Sequence, residues 1–287
     1  TEKVLAAIEE VKTHINQSRQ ALKELVANAE SPNPVAHPQE YIDAFNNALA
    51  AAEEACGDIN KTNEELDQLK ANLEKAIADL DANKYENYAQ NGAVDARSTY
   101  ESPDWGWGKA FLVDGDRKNL TEKGEYTGYS SDVGEVRTKD HEEWVSVDLG
   151  EVQKINSVVF YAPTQSPSTP GTCYGFPKTF DIQVSTNGQD WTTVASEKDY
   201  PVPSYGPIVF SFDEVDAKYV KLYAYNLNPK VTDFGYYYLQ LSEMEVYNSP
   251  NVETPKPPVE SNKDILNKVI AYAENAANSE EFNNVIK

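Results

Sequence analysis

The sequence is poor in the residues that carry soft-metal or redox chemistry. Among its 287 residues are two cysteines, Cys56 and Cys173, and three histidines, His14, His37 and His141. Neither cysteine sits in a CxxC motif or beside a histidine, and the histidines lack HExxH spacing, so zinc and thiol catalysis find no motif here. The two cysteines fall in segments of different composition, which argues against a disulfide; Cys56, on a helix face, reads as a small buried apolar residue. No apolar run approaches the ~18–20 residues of a membrane span. No signal peptide, lipidation site or sorting motif is visible. Positive charge is also scarce: 25 Lys and Arg stand against 47 Asp and Glu, a formal net charge of -22. Such a surface repels nucleic acid and anionic lipid, which are held by Lys and Arg against phosphate. It suits neutral glycans and cations such as calcium, or serves solubility alone. Nor is there a nucleophile–base pair, metal triad or phosphate loop, so the chain is not read as an enzyme.

What is present is enough apolar residue, 40%, to build cores. The length predicts about two domains. Over residues 3–30, Val4, Ile8, Val11, Ile15, Leu22 and Leu25 recur in steps of four and three, a helical face broken at Ser18. Ser31-Pro32-Asn33-Pro34 ends that helix, because proline lacks the donor and clashes with the preceding turn. A second face carries Tyr41, Phe45, Leu49 and Ala52, with Gly57 as its stop. Thr62-Asn63-Glu64-Glu65 is a capping box opening a third face of Leu66, Leu69, Leu73, Ile77 and Leu80. Short connections predict an antiparallel three-helix bundle over 1–84.

The period then changes from helical to two. Val145, Val147 and Leu149; Phe180, Ile182 and Val184; Ile208, Phe210 and Phe212; and Val220, Leu222 and Ala224 alternate as antiparallel strands do. Asn187-Gly188 predicts a tight hairpin with positive φ at both central residues. The expectation is an all-β sandwich or jelly roll over 87–248. Residues 249–260 are proline-rich and read as an extended linker. Over 261–287, a capping signal and Leu266, Val269, Ile270 and Ala273 predict the first helix of a second, truncated helical module. Helical patterns at both ends predict an excised fragment of a longer chain. The expected architecture is thus multidomain: a three-helix bundle, a jelly-roll sandwich and a truncated helical segment.

Five segments in order give the middle region a family resemblance. Asn87–Tyr100 looks like an entry strand, Lys109–Asp116 like an alanine-to-Asp-Gly loop, and Trp144–Gly150 like a Trp-to-Asp-Leu-Gly strand. Phe180–Trp191 matches a central hairpin and Leu239–Tyr247 a closing strand. Together they resemble the coagulation factor V/VIII type C, or discoidin-like, family, which includes the family 32 carbohydrate-binding modules. More loosely, Tyr41, Phe45, Ala48-Leu49 and Leu73–Leu80 resemble FIVAR helical modules. The resemblance implies a galactose-binding-like sandwich in a multimodular secreted protein, extracellular or attached to the cell wall of a Gram-positive-type bacterium, whose parent is a glycoside hydrolase.

It also implies a structural calcium. Carried over residue by residue, the ligands are the carbonyls of Phe111, Asp116 and Ser242, the side chains of Asp114 and Glu243, and Asn119, with Thr121 as its alternative in a longer loop. Independently, Asp114-Gly115-Asp116 sets carboxylates on a tight turn, as suits a hard cation that takes about six to eight oxygens; a plain Asp-Gly turn is the simpler reading. An ion there would tie the start of the sandwich to its end and remove loop entropy from the unfolded chain.

In the family, ligands bind loops at one edge of the sandwich. Sugar rings present apolar faces that stack on exposed aromatics, while a few polar groups read the hydroxyls. The candidates are Trp105 and Trp107 in a Gly-Pro-Asp loop, Tyr174 and Phe176 closing a long loop, Phe234 and Tyr236 before the last strand, and His141 with Glu142 beside Trp144. Either one of Trp105 and Trp107 faces solvent as a platform or both pack under the loop. Trp144, Trp191, Phe180 and Phe210 are expected in the core. Galactose-binding relatives often carry Pro-Arg where this sequence has Ala162-Pro163-Thr164, and Tyr126–Tyr129 replaces their histidine; Arg97 or Arg137 would have to substitute. The expected function is a monomeric, non-catalytic module that binds galactose- or N-acetylhexosamine-containing glycans and targets a glycoside hydrolase. The alternatives are an adhesin-type surface-binding domain and a spacer without ligand. Neither nucleic-acid binding nor membrane insertion is expected.

Overall fold

The computed structural model describes residues 17–118 and 126–251. Three helices precede a β-sandwich, and both lie in one compact unit that runs to Glu253. The predicted helix over 261–287 and most of the predicted linker lie outside the described residues. No helix among those described is long and apolar enough to cross a membrane.

Helix α1 is described over 17–28, α2 spans Gln39–Gly57 and α3 spans Asn63–Ala82. The capping box forms: the Thr62 hydroxyl accepts from the Glu65 amide, and a Glu65 carboxylate oxygen accepts from the Thr62 amide at 2.8 Å. That pairing satisfies two donors a helix start leaves open. The Arg19 guanidinium on α1 donates at 2.8 Å to the Ala55 carbonyl at the end of α2, where carbonyls lack helical partners. Leu22, Phe45, Ala52, Leu66 and Leu73 form the bundle core. Ser18, the break in the first apolar series, is nevertheless buried. Both cysteines are free thiols. Cys173, buried in the sandwich, donates to the Ala162 carbonyl, and burial pushes its thiol up to about 12.

The sandwich is organised by two long strands, β3 (Glu143–Tyr161) and β6 (Ile208–Asn226), paired along most of their length. The first half of β3 pairs with β1 (Ala93–Ala96) and its second half with β10 (Glu243–Tyr247). On the other side of β6 lie β4 (Thr179–Ser185) and β5 (Thr192–Glu197). The register shifts between Asp148 and Gln153, where Gly150 takes φ 86°, so the Asp-Leu-Gly segment is where β3 bends. Tyr129–Ser130 (β2) pairs with Gln240–Leu241 (β9), and Pro229–Lys230 (β7) with Tyr236–Tyr237 (β8). Alternating residues point inward as predicted: Val145, Val147, Ile182, Val184, Val220 and Leu222 are all core. Phe160, Phe176, Phe180 and Phe210 add a cluster of tilted and edge-on rings 5.3–6.1 Å apart.

Two expectations need correcting. Trp144 and Trp191 are not in the core: both are half-buried on the outer face of the sheet, with the Lys221 ammonium 5.1 Å from one ring centre and 3.4 Å from the other. Trp144 follows from the pleat, since its neighbour Val145 points in. The β4–β5 hairpin forms, but not through a two-residue turn. Only Gly188 has positive φ; the Asn187 side chain instead accepts from the amides of Gln189 and Asp190, closing a longer loop. At the start of the predicted linker, Ser249 is buried and exchanges two hydrogen bonds with the Asn156 side chain at 2.7 and 2.8 Å.

Candidate functional site

The acidic loop and the closing strand meet. A 3-10 turn, Lys109–Leu112, delivers the chain to Val113 and Asp114, and Gly115 turns at φ 86°. The Gly115 amide then donates to both carboxylate oxygens of Glu243, at 3.2 and 3.3 Å, across 128 residues of sequence. Glu243 is fully buried, and its carboxyl is pushed up to about 9, by burial first and then by the charges of Glu245 and Asp114. Burial also raises the Asp114 carboxyl, with the Asp116 charge adding to it. Two neighbouring carboxyls whose ionisation burial disfavours are a place where a positive ion would be welcome. Nearby, the buried Ser242 hydroxyl has no hydrogen-bond partner. Phe111 is half-buried in the 3-10 turn, while Asn119 and its alternative Thr121 lie outside the described residues. Among the described residues no three His, Cys, Asp or Glu side chains converge as a ready-made metal group. A site relying on the carbonyls of Phe111, Asp116 and Ser242 would not produce one.

A separate set of loops carries the aromatic residues. Residues 102–107 fold back on themselves: the Ser102 amide donates to the Trp107 carbonyl at 2.8 Å, and the Trp107 amide donates back at 3.2 Å. Gly106 sits in the left-handed region at φ 72° between the two tryptophans. Trp105 is 61% exposed. Trp107 is half-buried and lines a pocket of about 30 Å³ with Tyr126, Thr127, Pro163, Thr164, Gln165 and Lys230. Gly128 is required where the chain beside β2 closes on β9, because a Cβ there would lie 2.3 Å from the Leu241 carbonyl oxygen. Its amide donates to the Gly106 carbonyl and its carbonyl accepts from the Gly108 amide, so the tryptophan loop is fixed to the sandwich.

Lys230 connects this pocket to a second aromatic group. On and beside the β7–β8 hairpin, Phe234 stacks 5.8 Å from Tyr236, which lies 6.4 Å from Tyr238. The Arg137 guanidinium lies 4.5 Å over Tyr236, and the Lys230 ammonium 5.9 Å from the Tyr238 ring. Phe234 is 90% exposed and holds φ 54°, a conformation uncommon for a residue with a Cβ. Of the predicted ligand residues, Trp107 lines the pocket with Lys230, Trp105 stands exposed two residues before it, and Tyr236, with Phe234 against it, pairs across the hairpin with Lys230.

The other four are placed differently. Phe176 is fully buried in the aromatic core, 5.3 Å from Phe180, so it is not a platform. Tyr174 is half-buried beside it. His141 and Glu142 serve the start of β3. The His141 ring contacts the Lys139 carbonyl through Nδ1 at 2.8 Å and the Glu143 carboxylate through Nε2 at 3.2 Å. Glu142 accepts from the Tyr223 hydroxyl and faces Arg97 at 3.6 Å. Arg97 is thus engaged with Glu142, whereas Arg137 lies over Tyr236. Sequence reasoning missed Lys230 and Gln165. A lysine placed just before an aromatic run was the available signal for Lys230; Gln165 gave none.

Part of the sandwich is similar to a known family. Residues 111–222 match a factor V/VIII type C family model, described as a NedA-like, galactose-binding domain. Among solved structures, the chain is similar to chitosan-binding module 1 of a chitosanase/glucanase from Paenibacillus sp. IK-5, at 23% identity over 57% of this chain and 100% of that one, TM-score 0.40. It is also similar to the fifth family 32 module of a Clostridium perfringens protein in complex with GalNAc-β-1,3-galactose, at 18% identity, 57% and 100% coverage and TM-score 0.41. A third is the family 32 module of C. perfringens NanJ in complex with galactose, at 19% identity, 55% and 94% coverage and TM-score 0.38. No curated protein sequence matches the chain.

Proposed function

We propose that the sandwich is a non-catalytic carbohydrate-binding module that holds a secreted glycoside hydrolase, extracellular or on a Gram-positive-type cell wall, near its glycans. The observation that carries the reading is an aromatic rim: Trp105 and Phe234 are exposed aromatics on two loops, and Lys230 links the Trp107 pocket to the Phe234–Tyr236–Tyr238 ladder. Rings of this kind take the apolar face of a sugar, while Thr164, Gln165 and Lys230 supply polar groups for its hydroxyls. Galactose- and N-acetylhexosamine-containing glycans are the expected ligands. In this reading the helical modules are FIVAR-like spacers.

The same reading includes a structural calcium. Asp114 and Glu243 would hold it through carboxylates, with the carbonyls of Phe111, Asp116 and Ser242 and with Asn119 completing the shell. The fully buried Glu243 carboxylate beside Asp114–Gly115 supports this. The ion would supply counter-charge and a cross-link between the two ends of the sandwich, and no catalysis.

A glycan array followed by calorimetric titration tests the function. Binding of a galactoside or N-acetylhexosamine by the full chain, weakened at least about tenfold in Trp107→Ala, is the expected result. A blank array, or binding that both Trp107→Ala and Phe234→Ala leave unchanged, would overturn it.

A further inference from the structure

The bundle is fastened to the sandwich through the loop joining α1 to α2. Asn33 in that loop is fully buried, and its amide donates at 2.8 Å to one carboxylate oxygen of Glu245 on β10. Its carbonyl oxygen accepts from the Val35 amide, shaping the loop. Val35 and Ala36 are buried against Val159, Tyr161 and Tyr247 of the sandwich. On the sandwich side, Glu245 also accepts from Arg117 Nε at 2.7 Å and from the Tyr247 hydroxyl at 3.0 Å. The Arg117 guanidinium lies 4.7 Å over the Tyr161 ring. Outer contacts reinforce this: Lys118 pairs with Glu30, and Asn251 donates to the His37 carbonyl at 2.7 Å. Buried apolar contact together with a hydrogen-bonded polar network is how a fixed interface is built, not a swinging tether.

The chain positions involved overlap with those of the acidic loop. Arg117 follows Asp116 directly. Glu245 is two residues from Glu243 on one strand, so both side chains leave the same face. Ordering residues 114–116 against Glu243 therefore also orders Arg117 against Glu245, and Glu245 is the group Asn33 grips. We infer that cation binding at the 114–116 loop and docking of the helical bundle are positively coupled through the Arg117–Glu245–Asn33 chain of hydrogen bonds, so that the ion fixes the direction in which the sugar-binding rim faces relative to the bundle. This rests on the cation reading above. Coupling of this kind is reciprocal: what loosens the joint must weaken the ion by the same factor.

Asn33 contacts none of the proposed ligands and carries no charge, which makes it the informative substitution. In the full chain, Asn33→Ala should weaken calcium binding, measured by calorimetric titration, about fivefold or more. The second measurement uses spin labels at Glu53→Cys and Asp190→Cys in a Cys56→Ser background, with buried Cys173 left in place. With calcium the distance distribution should be single and narrow. Adding a chelator, or introducing Asn33→Ala, should broaden it. If calcium binds but Asn33→Ala leaves its affinity unchanged and the distances do not respond to the ion, the coupling is overturned while the cation site stands. If calcium does not bind the unsubstituted chain at all, both are overturned.

Discussion

Removing calcium should lower the melting temperature of the sandwich by several degrees. The fully buried carboxylate of Glu243 receives the Gly115 amide at 3.2 Å and faces the charges of Glu245 and Asp114. An ion there would relieve that repulsion and join positions that are 128 residues apart. A ligand present at about a hundred times its dissociation constant stabilises the folded state by about 2.7 kcal/mol. A domain of this size moves by about 2–4 °C per kcal/mol, so the expected shift is about 5–11 °C. Differential scanning calorimetry of the chain in calcium and in excess chelator reads it directly. Glu243→Gln is the matched control, since it keeps the side-chain shape and an acceptor for Gly115 but loses the charge; its midpoint should not respond to calcium. Equal midpoints for the unsubstituted chain in the two buffers, or an undiminished response in Glu243→Gln, would refute the argument.

Other substitutions separate binding from folding. Phe234→Ala should weaken glycan binding by about tenfold, near 1.4 kcal/mol, yet change stability by no more than about 0.5 kcal/mol because the ring is exposed, as titration and urea unfolding would show. Phe176→Ala should do the reverse, costing about 3–5 kcal/mol of stability through lost contact with Phe160, Phe180 and Tyr200. Burial, the largest influence on Glu143, raises its carboxyl above the ordinary 4.5, ahead of the lowering effects of Ser98 and His141. The folded state thus holds this proton more tightly than the unfolded chain, so the contribution is complete below 4.5 and is lost as pH rises through the higher folded value. Urea midpoints followed upward from that pH should fall less steeply in Glu143→Gln; an unchanged slope would remove Glu143 as the cause.

The strands were legible because their apolar residues alternate, and alternation is what a half-buried sheet requires. Val145 and Val147, or Phe180 and Ile182, announce which face is inside. The same rule places Trp144 outside, and size alone was a poor reason to expect it in the core. Lys221 now occupies the space between Trp144 and Trp191, covering apolar ring surface with its own stem. The rim was legible only in part. Trp105, Trp107, Phe234 and Tyr236 stand in turn-rich loops, where large aromatics have no strand to belong to. Phe176 stands in a similar loop but folds inward, because Cys173–Phe176 plugs the end of the core. Nothing local to the sequence tells those two outcomes apart. Lys230 joins Trp107 only through folding, as does the meeting of Asn33 with Glu245, 212 residues away.

Finally, the Tyr88 amide donates to the Val246 carbonyl, and the Asn87 side chain accepts from the Val246 amide. The polypeptide thus leaves the sandwich beside the point where it came in. A domain with neighbouring doorways hangs off the main path of a longer polymer, like a charm on a bracelet, and adds little to its contour. Gain or loss of such a unit leaves the spacing of its neighbours nearly intact. Its own ends can also be sewn together and reopened elsewhere, for example between Gln165 and Gly171, without unpicking the sheet.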